Sequence, residues 1–209
     1  MKLFKIVCWA LLTLLVVTNS GADEFVLGQH YQEVKPVVAP SSAADKVEVL
    51  ELFWYGCPHC YAFEPQLQEW IKKKADYIEF VRVPAVFAQN WEVHARAFYA
   101  AQQLGVLEKL HGPVFEAIHK DGQKLSSEED ITQFFAAKGV AAEAFKKAYN
   151  SFDVDTKTRR AIALTREYGI TGVPALIVNG KYRSSAQEAG DFATLLKLVD
   201  YLAAKEHQR

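Results

Sequence analysis

Sulfur is scarce in this chain: its 209 residues include three cysteines and a single methionine, Met1. Such a chain cannot carry a framework of disulfides. With no second C-x-x-C pair and no partner methionine, soft-metal sites also lack a ligand set. Long hydrophobic runs are missing too. The run Ile6–Val17 ends at twelve residues, short of the ~20 that a membrane-spanning helix needs. Nor is there an excess of charge: 24 basic and 25 acidic side chains leave a net charge of -1. The only basic cluster, Lys72-Lys73-Lys74, reads as a solvated helix end, so there is no electrostatic footprint for nucleic acid. No internal repeat or low-complexity tract is present.

The beginning of the chain has the layout of an export signal. Lys2 and Lys5 precede the apolar run, and Thr18-Asn19-Ser20-Gly21-Ala22 turns polar, with small Ser20 and Ala22 at cleavage-type positions. Cleavage is expected after Ala22. Residues 23–209 then hold 22 basic and 25 acidic side chains and two cysteines, Cys57 and Cys60. An exported chain meets an oxidising compartment, where a disulfide can be structural or catalytic. Closing so short a loop would constrain little of the unfolded chain, which favours catalysis.

Residues 23–46 read as a polar entry segment with Pro36 and Pro40. Strands are expected at Val47–Trp54 and Tyr77–Val83, the second ended by Pro84. Between them, apolar Cys60, Phe63, Leu67, Trp70 and Ile71 recur at helical spacing from Pro58 to Lys74, with a kink expected at Pro65. Helical patterns without strands follow at 91–104, 107–120, 128–138, 142–149 and 155–168. Gly105, Gly139 and Gly169 lie just past helix ends, and Ser126 with Glu129 suggests a capping box. Strand character returns at Pro174–Val178, then the turn Asn179-Gly180, a short strand Lys181–Arg183 and a last helix, 192–204. The pattern predicts an α/β domain (23–84 and 163–209) interrupted by an all-helical insertion (85–162).

Cys57-Pro58-His59-Cys60 places two thiols where a strand passes into a helix. At a helix start, unpaired N–H groups and the positive dipole end favour a Cys57 thiolate, Pro58 suits the first helical position, and His59 adds a second stabiliser. Cys60, one turn further on the apolar face, should keep its proton and resolve mixed disulfides. Glu51 shares one strand face with Val47, Val49 and Phe53, so it is expected to be a buried acid of raised pKa that shuttles a proton for Cys60, with Glu64 as electrostatic neighbour. The alternative places Glu51 in water on an edge strand. Pro174, after Val173, opens the late strand and could carry a cis bond.

The segments FWYGCPHCYAFE (Phe53–Glu64) and GVPALIVNGKY (Gly172–Tyr182), with the helical block between them, resemble the DsbA family of exported thiol-disulfide oxidoreductases in the thioredoxin superfamily. The resemblance covers nearly all of residues 23–209. It implies a thioredoxin fold with an inserted helical domain, Pro174 cis and facing the disulfide, and Val173 pairing by its backbone with an extended substrate. It also implies that Glu51 and Glu64 are the family's acidic residues near the site, and that Cys57 has a low pKa and its disulfide is strongly oxidising. No cofactor beyond the Cys57–Cys60 disulfide is expected. Implied partners are reduced exported proteins and a quinone-linked membrane oxidase of the DsbB type, in the periplasm. A monomer is expected, because no heptad or long exposed edge stands out in the sequence. Pro65 stands where thioredoxin itself has a proline that kinks the helix.

Three other readings compete. A reductase or isomerase would run the dithiol in the opposite direction. A metal site would recruit His94, His111 or His119, which read as scattered surface or packing residues. A peptide-binding chaperone would use Trp54, Phe87, Trp91 and Phe98 as an apolar groove.

Overall fold

The computed structural model describes residues 25–208; the expected export signal and its cleavage point lie outside them. The order of elements is β1 (Gln32–Glu33), β2 (Val47–Phe53), α1 (Pro58–Lys73), β3 (Ile78–Pro84), α2 (Gln89–Gln103), α3 (Leu107–His119), α4 (Glu128–Ala137), α5 (Ala142–Tyr149), α6 (Phe152–Glu167), β4 (Ala175–Val178), β5 (Tyr182–Ser184), α7 (Ala186–Ala189) and α8 (Phe192–His207). The strands form one sheet in the order β1-β5-β4-β2-β3. β2 runs parallel to β3, and β4 is antiparallel to β2 and β5. A parallel pair needs a crossover, and α1 supplies it.

β2 is buried along its whole length. Val47 and Val49 pack with Phe63, Leu67 and Trp70 of α1 and with Leu195, Leu198 and Leu202 of α8. Leu50, Leu52 and Phe53 belong to a second cluster shared with the helical block, including Phe98, Phe115 and Phe145. Strict alternation therefore fails at Phe53, whose ring meets Phe98, His111 and Phe115 where the chain leaves the sheet. β2 lies between β4 and β3, which removes the edge-strand alternative for Glu51.

Several boundaries differ from the sequence reading for local reasons. The capping serine of α4 is Ser127, whose side chain accepts from the Asp130 N–H, and Ser126 is not the cap. α6 begins at Phe152 because Ser151 caps it through the Val154 N–H, and it runs unbroken across the expected 162/163 boundary. α1 continues through Pro65 as one helix. β1 and α7, at two and four residues, are too short to leave a periodic signal. Among the described residues no helix is long and apolar enough to cross a membrane.

The β4–β5 hairpin turns on Asn179 and Gly180, with φ of 51° and 64°. Both lie in the left-handed region, and the Lys181 N–H closes the turn on the Val178 carbonyl at 3.0 Å, leaving three residues between the strands. A Cβ added to Gly180 would sit 1.7 Å from the carbonyl oxygen of Val38, whose N–H in turn donates to the Gly180 carbonyl. Gly180→Ala is therefore expected to cost more than the ~1–2 kcal/mol of the left-handed conformation alone, measured as a lowered denaturation midpoint. An unchanged midpoint would show that the entry segment yields freely.

Candidate active site

β2 ends at Phe53, and four residues later Cys57 becomes the N-cap of α1, with φ -89° and ψ 117°. Proline at the first helical position costs no hydrogen bond, because the first-turn N–H groups have no helical acceptor. One of those groups, the Cys60 N–H, points at Cys57 Sγ from 3.4 Å. The Cys57 N–H itself is held by the Trp54 carbonyl at 3.0 Å. Cys57 and Cys60 are not bridged, so the site is seen as the dithiol.

The two sulfurs sit in opposite environments. Cys57 is lowered to about 6, first by a hydrogen bond with the Cys60 side chain; burial opposes this, and the Cys60 and His59 N–H groups and the His59 charge add to it. His59 and Pro58 are exposed beside it. Cys60 is fully buried, and burial pushes its thiol far above the usual range, helped by the hydrogen bond with Cys57 and by the Glu51 charge. A proton therefore belongs on Cys60 and an anion on Cys57.

Across from this turn, Cys57 Sγ lies 3.3 Å from the Val173 carbonyl oxygen, to which the sulfur donates when it is protonated. The Val173–Pro174 bond is cis, as is Lys35–Pro36, for which the sequence offered no sign. A cavity of about 700 Å³ opens here, lined by His59, Gly172, Val173, Pro174, Arg183 and Glu188 among others. Residues more than a hundred positions apart thus meet at one sulfur.

Beneath the dithiol lies a chain of charges. Glu51 is fully buried and pairs with Arg82 Nε at 3.1 Å, while its other oxygen has no hydrogen-bond partner. Arg82 reaches Glu64 through Nη2 at 3.2 and 3.3 Å, and Gln68 donates to Glu64 at 3.0 Å. Burial pushes Glu51 up to about 8 against the pull of Arg82, with Glu64 and Cys57 adding to the rise. Burial also acts on Glu64, but the His111 hydrogen bond and the Arg82 and His111 charges outweigh it and hold that carboxyl at about 2. Two carboxyls sharing one guanidinium are thus driven apart, one acid neutral and the other ionised at neutral pH.

Residues 78–197 match the DSBA-like thioredoxin domain. The thiol:disulfide interchange protein DsbA of Pseudomonas aeruginosa is 46% identical over 185 residues, which are 88% of this chain and 87% of that protein. This chain belongs to the DSBA-like thioredoxin family. DsbA of Azotobacter vinelandii is 43% identical over 180 residues, 86% of this chain and 84% of the relative. A crystal structure of P. aeruginosa DsbA superposes with a TM-score of 0.85 at 45% identity, covering 90% of this chain and 97% of that one. The Xylella fastidiosa DsbA structure gives 0.82 at 35% identity, covering 88% and 98%. The fold is thus that of the DsbA-like thioredoxins, the five-stranded sheet being interrupted by the helices α2–α6.

Set against this DsbA-like frame, Cys57, Pro58, His59, Cys60, Val173 and Pro174 gather at one turn, and Glu51 and Glu64 gather below it around Arg82. Arg82 and Tyr55 carried no signal of their own in the sequence, and His111 read only as a scattered surface or packing residue. Arg82 was detectable in principle, since it stands opposite Glu51 in the parallel register, but only once the β2–β3 pairing is known. Of the presumed groove aromatics, Phe98 is core, Trp54 and Trp91 stack at 4.0 Å, and Phe87 is exposed. Among the described residues no three His, Cys, Asp or Glu side chains gather as a metal site.

Proposed function

We propose that this protein is a dithiol oxidase that hands its Cys57–Cys60 disulfide to reduced exported proteins in the periplasm. The observation that carries the reading is the opposed placement of the two sulfurs: Cys57 caps α1 with the Cys60 N–H aimed at its Sγ from 3.4 Å, which favours the thiolate, while Cys60 is fully buried, which favours the thiol. A disulfide whose reduced form contains a stabilised thiolate is a strong oxidant, because reduction releases the sulfur into its preferred state. That favours an oxidase over a reductase or isomerase. The names of the relatives agree with thiol-disulfide interchange.

A substrate thiolate attacks Cys57 Sγ, a substrate–Cys57 disulfide forms, and the Cys57–Cys60 bond breaks with its electron pair on Cys60. Cys60 takes a proton, and Glu51, neutral below about 8, is the group we assign to supply it. A second substrate thiolate then attacks its own bridged sulfur, and Cys57 departs as the stable thiolate. Substrate loses two electrons and the enzyme gains them. An outside acceptor must take them back, and a quinone-linked membrane oxidase of the DsbB type fits that need. The Val173 backbone beside Cys57 offers an extended substrate a strand to pair with.

The test is oxidation of a reduced two-cysteine peptide by the purified disulfide form, with the equilibrium against glutathione measured in parallel. Rapid oxidation with glutathione poised toward reduced enzyme supports the reading; a disulfide held against glutathione indicates a reductase. Glu51→Gln is expected to slow peptide oxidation about tenfold and to flatten the decline of the wild-type rate above pH 8. An unchanged rate and profile would remove Glu51 from the proton path. N-terminal sequencing of the exported protein tests cleavage after Ala22.

A further inference from the structure

Three histidines spread through the helical block converge on Tyr55, two residues before the nucleophile. Tyr55 is 2% exposed. Its hydroxyl lies 2.8 Å from His111 Nδ1 and its carbonyl 2.7 Å from His119 Nε2, both on α3. His94 of α2 meets its ring edge-on at 6.1 Å. The partners settle the protons. A carbonyl only accepts, so His119 Nε2 carries hydrogen. Glu64, an ionised carboxylate 3.3 Å from His111 Nε2, requires hydrogen there as well. His111 Nδ1 is then a bare acceptor when the ring is neutral, and burial favours that neutral ring. Tyr55, which burial keeps protonated, donates to it.

Tyr55 is thus gripped at its side chain and at its backbone by the same helix, eight residues apart on one face. Trp54, its neighbour, is held by the stack on Trp91 of α2, with rings 4.0 Å apart and 6° from parallel. The Trp54 carbonyl also anchors the Cys57 N–H. The turn from sheet to α1 is therefore mounted on the helical block, and the 3.4 Å contact from the Cys60 N–H to Cys57 Sγ depends on how that turn meets the first turn of α1.

We propose that His111 and His119 are positioning residues of the redox reaction: by holding Tyr55 from two sides they fix the Cys57 turn against the start of α1, so that the helical block sets the oxidising strength of the disulfide. The histidines touch neither sulfur and act through Tyr55. The proposal rests on Cys57 being the low-pKa nucleophile.

The test compares the thiolate midpoint and the glutathione equilibrium of wild type with those of His119→Phe, His119→Gln and Tyr55→Phe. His119→Phe keeps a ring over Tyr61, on which His119 stacks at 5.0 Å, but removes the donor. His119→Gln restores a donor, and Tyr55→Phe deletes one oxygen with little risk to folding. His119→Phe and Tyr55→Phe are expected to raise the Cys57 midpoint and shift the glutathione equilibrium about threefold to tenfold toward the disulfide, with His119→Gln near wild type. If both properties stay at their wild-type values while only the denaturation midpoint falls, the histidines merely pack and the proposal is overturned. Cys57→Ser separates the two levels of argument: should it retain the wild-type titration, the assignment of the nucleophile fails, whatever the histidine variants do.

Discussion

Titrated from pH 4 to 9, the reduced protein is expected to gain thiolate absorbance with a midpoint near 6, and Cys57→Ser to lose that transition together with all but about a thousandth of its peptide oxidation. Cys60→Ser should keep a low midpoint, somewhat raised because the hydrogen bond from Cys60 is the largest contribution to the shift. It should also accumulate mixed disulfides, since no second enzyme thiol remains to release them. The same shift has a consequence for stability. A thiol at about 6 in the folded protein and near 9 when unfolded stabilises the folded dithiol fully above 9, and that contribution is lost as pH falls through 6. The disulfide form has no such thiol to titrate. The dithiol form should therefore outlast the disulfide form in denaturant by a margin that grows between pH 6 and 9, on the order of 1 kcal/mol at pH 7. A margin independent of pH, or a midpoint near 9, would leave the disulfide without its source of oxidising strength.

Arg82→Met is expected to be the most damaging single change below the site. Arg82 is 13% exposed at its side chain and stands between Glu51 and Glu64, at 1% and 12%. Removing it strands the ionised Glu64 and takes from Glu51 its hydrogen-bond partner, a loss of about 3–5 kcal/mol for a broken buried pair. The pH dependence has a definite sign. Glu64, held at about 2, now stabilises the fold above its unfolded value near 4.5 and loses that contribution only as pH falls through 2. Without Arg82, both carboxyls rise, and a raised acid favours the fold only where it is protonated. The deficit relative to wild type should therefore be largest near neutral pH and shrink toward pH 4. The double variant Glu64→Gln/Arg82→Met should recover part of the loss, because it removes the acid that is left ionised without its partner. Equal deficits at pH 4 and pH 7 would mean that Arg82 acts through its packing, including its place over the Phe80 ring, and not through its charge.

What could be read in advance was local. The α1 capping arrangement follows from a cysteine and a proline at a helix start, because helix ends leave N–H groups unsatisfied whatever the rest of the fold does. Asn179-Gly180 sets its turn through backbone sterics alone, and the regular spacing of apolar residues marked the long helices. Glu51 was suspect because a carboxylate in a strand of apolar residues demands compensation.

The compensation itself could not be read. Arg82 meets Glu51 only through the parallel pairing of β2 and β3, and His111 and His119 looked scattered because their common target, Tyr55, lies more than fifty positions away in the turn between β2 and α1. Strand periodicity also put Phe53 on the face of Val47 and Val49, whereas its ring joins the helical block, because the chain leaves the sheet there. By itself, then, the sequence determined a dithiol at a helix start, the strands and helices around it, and one acid in need of a partner. Only the tertiary structure decided which charges neutralise that acid, what holds the turn in place and which backbone faces the sulfur. Those interactions have short range in space and long range along the chain, so no periodicity or spacing encodes them.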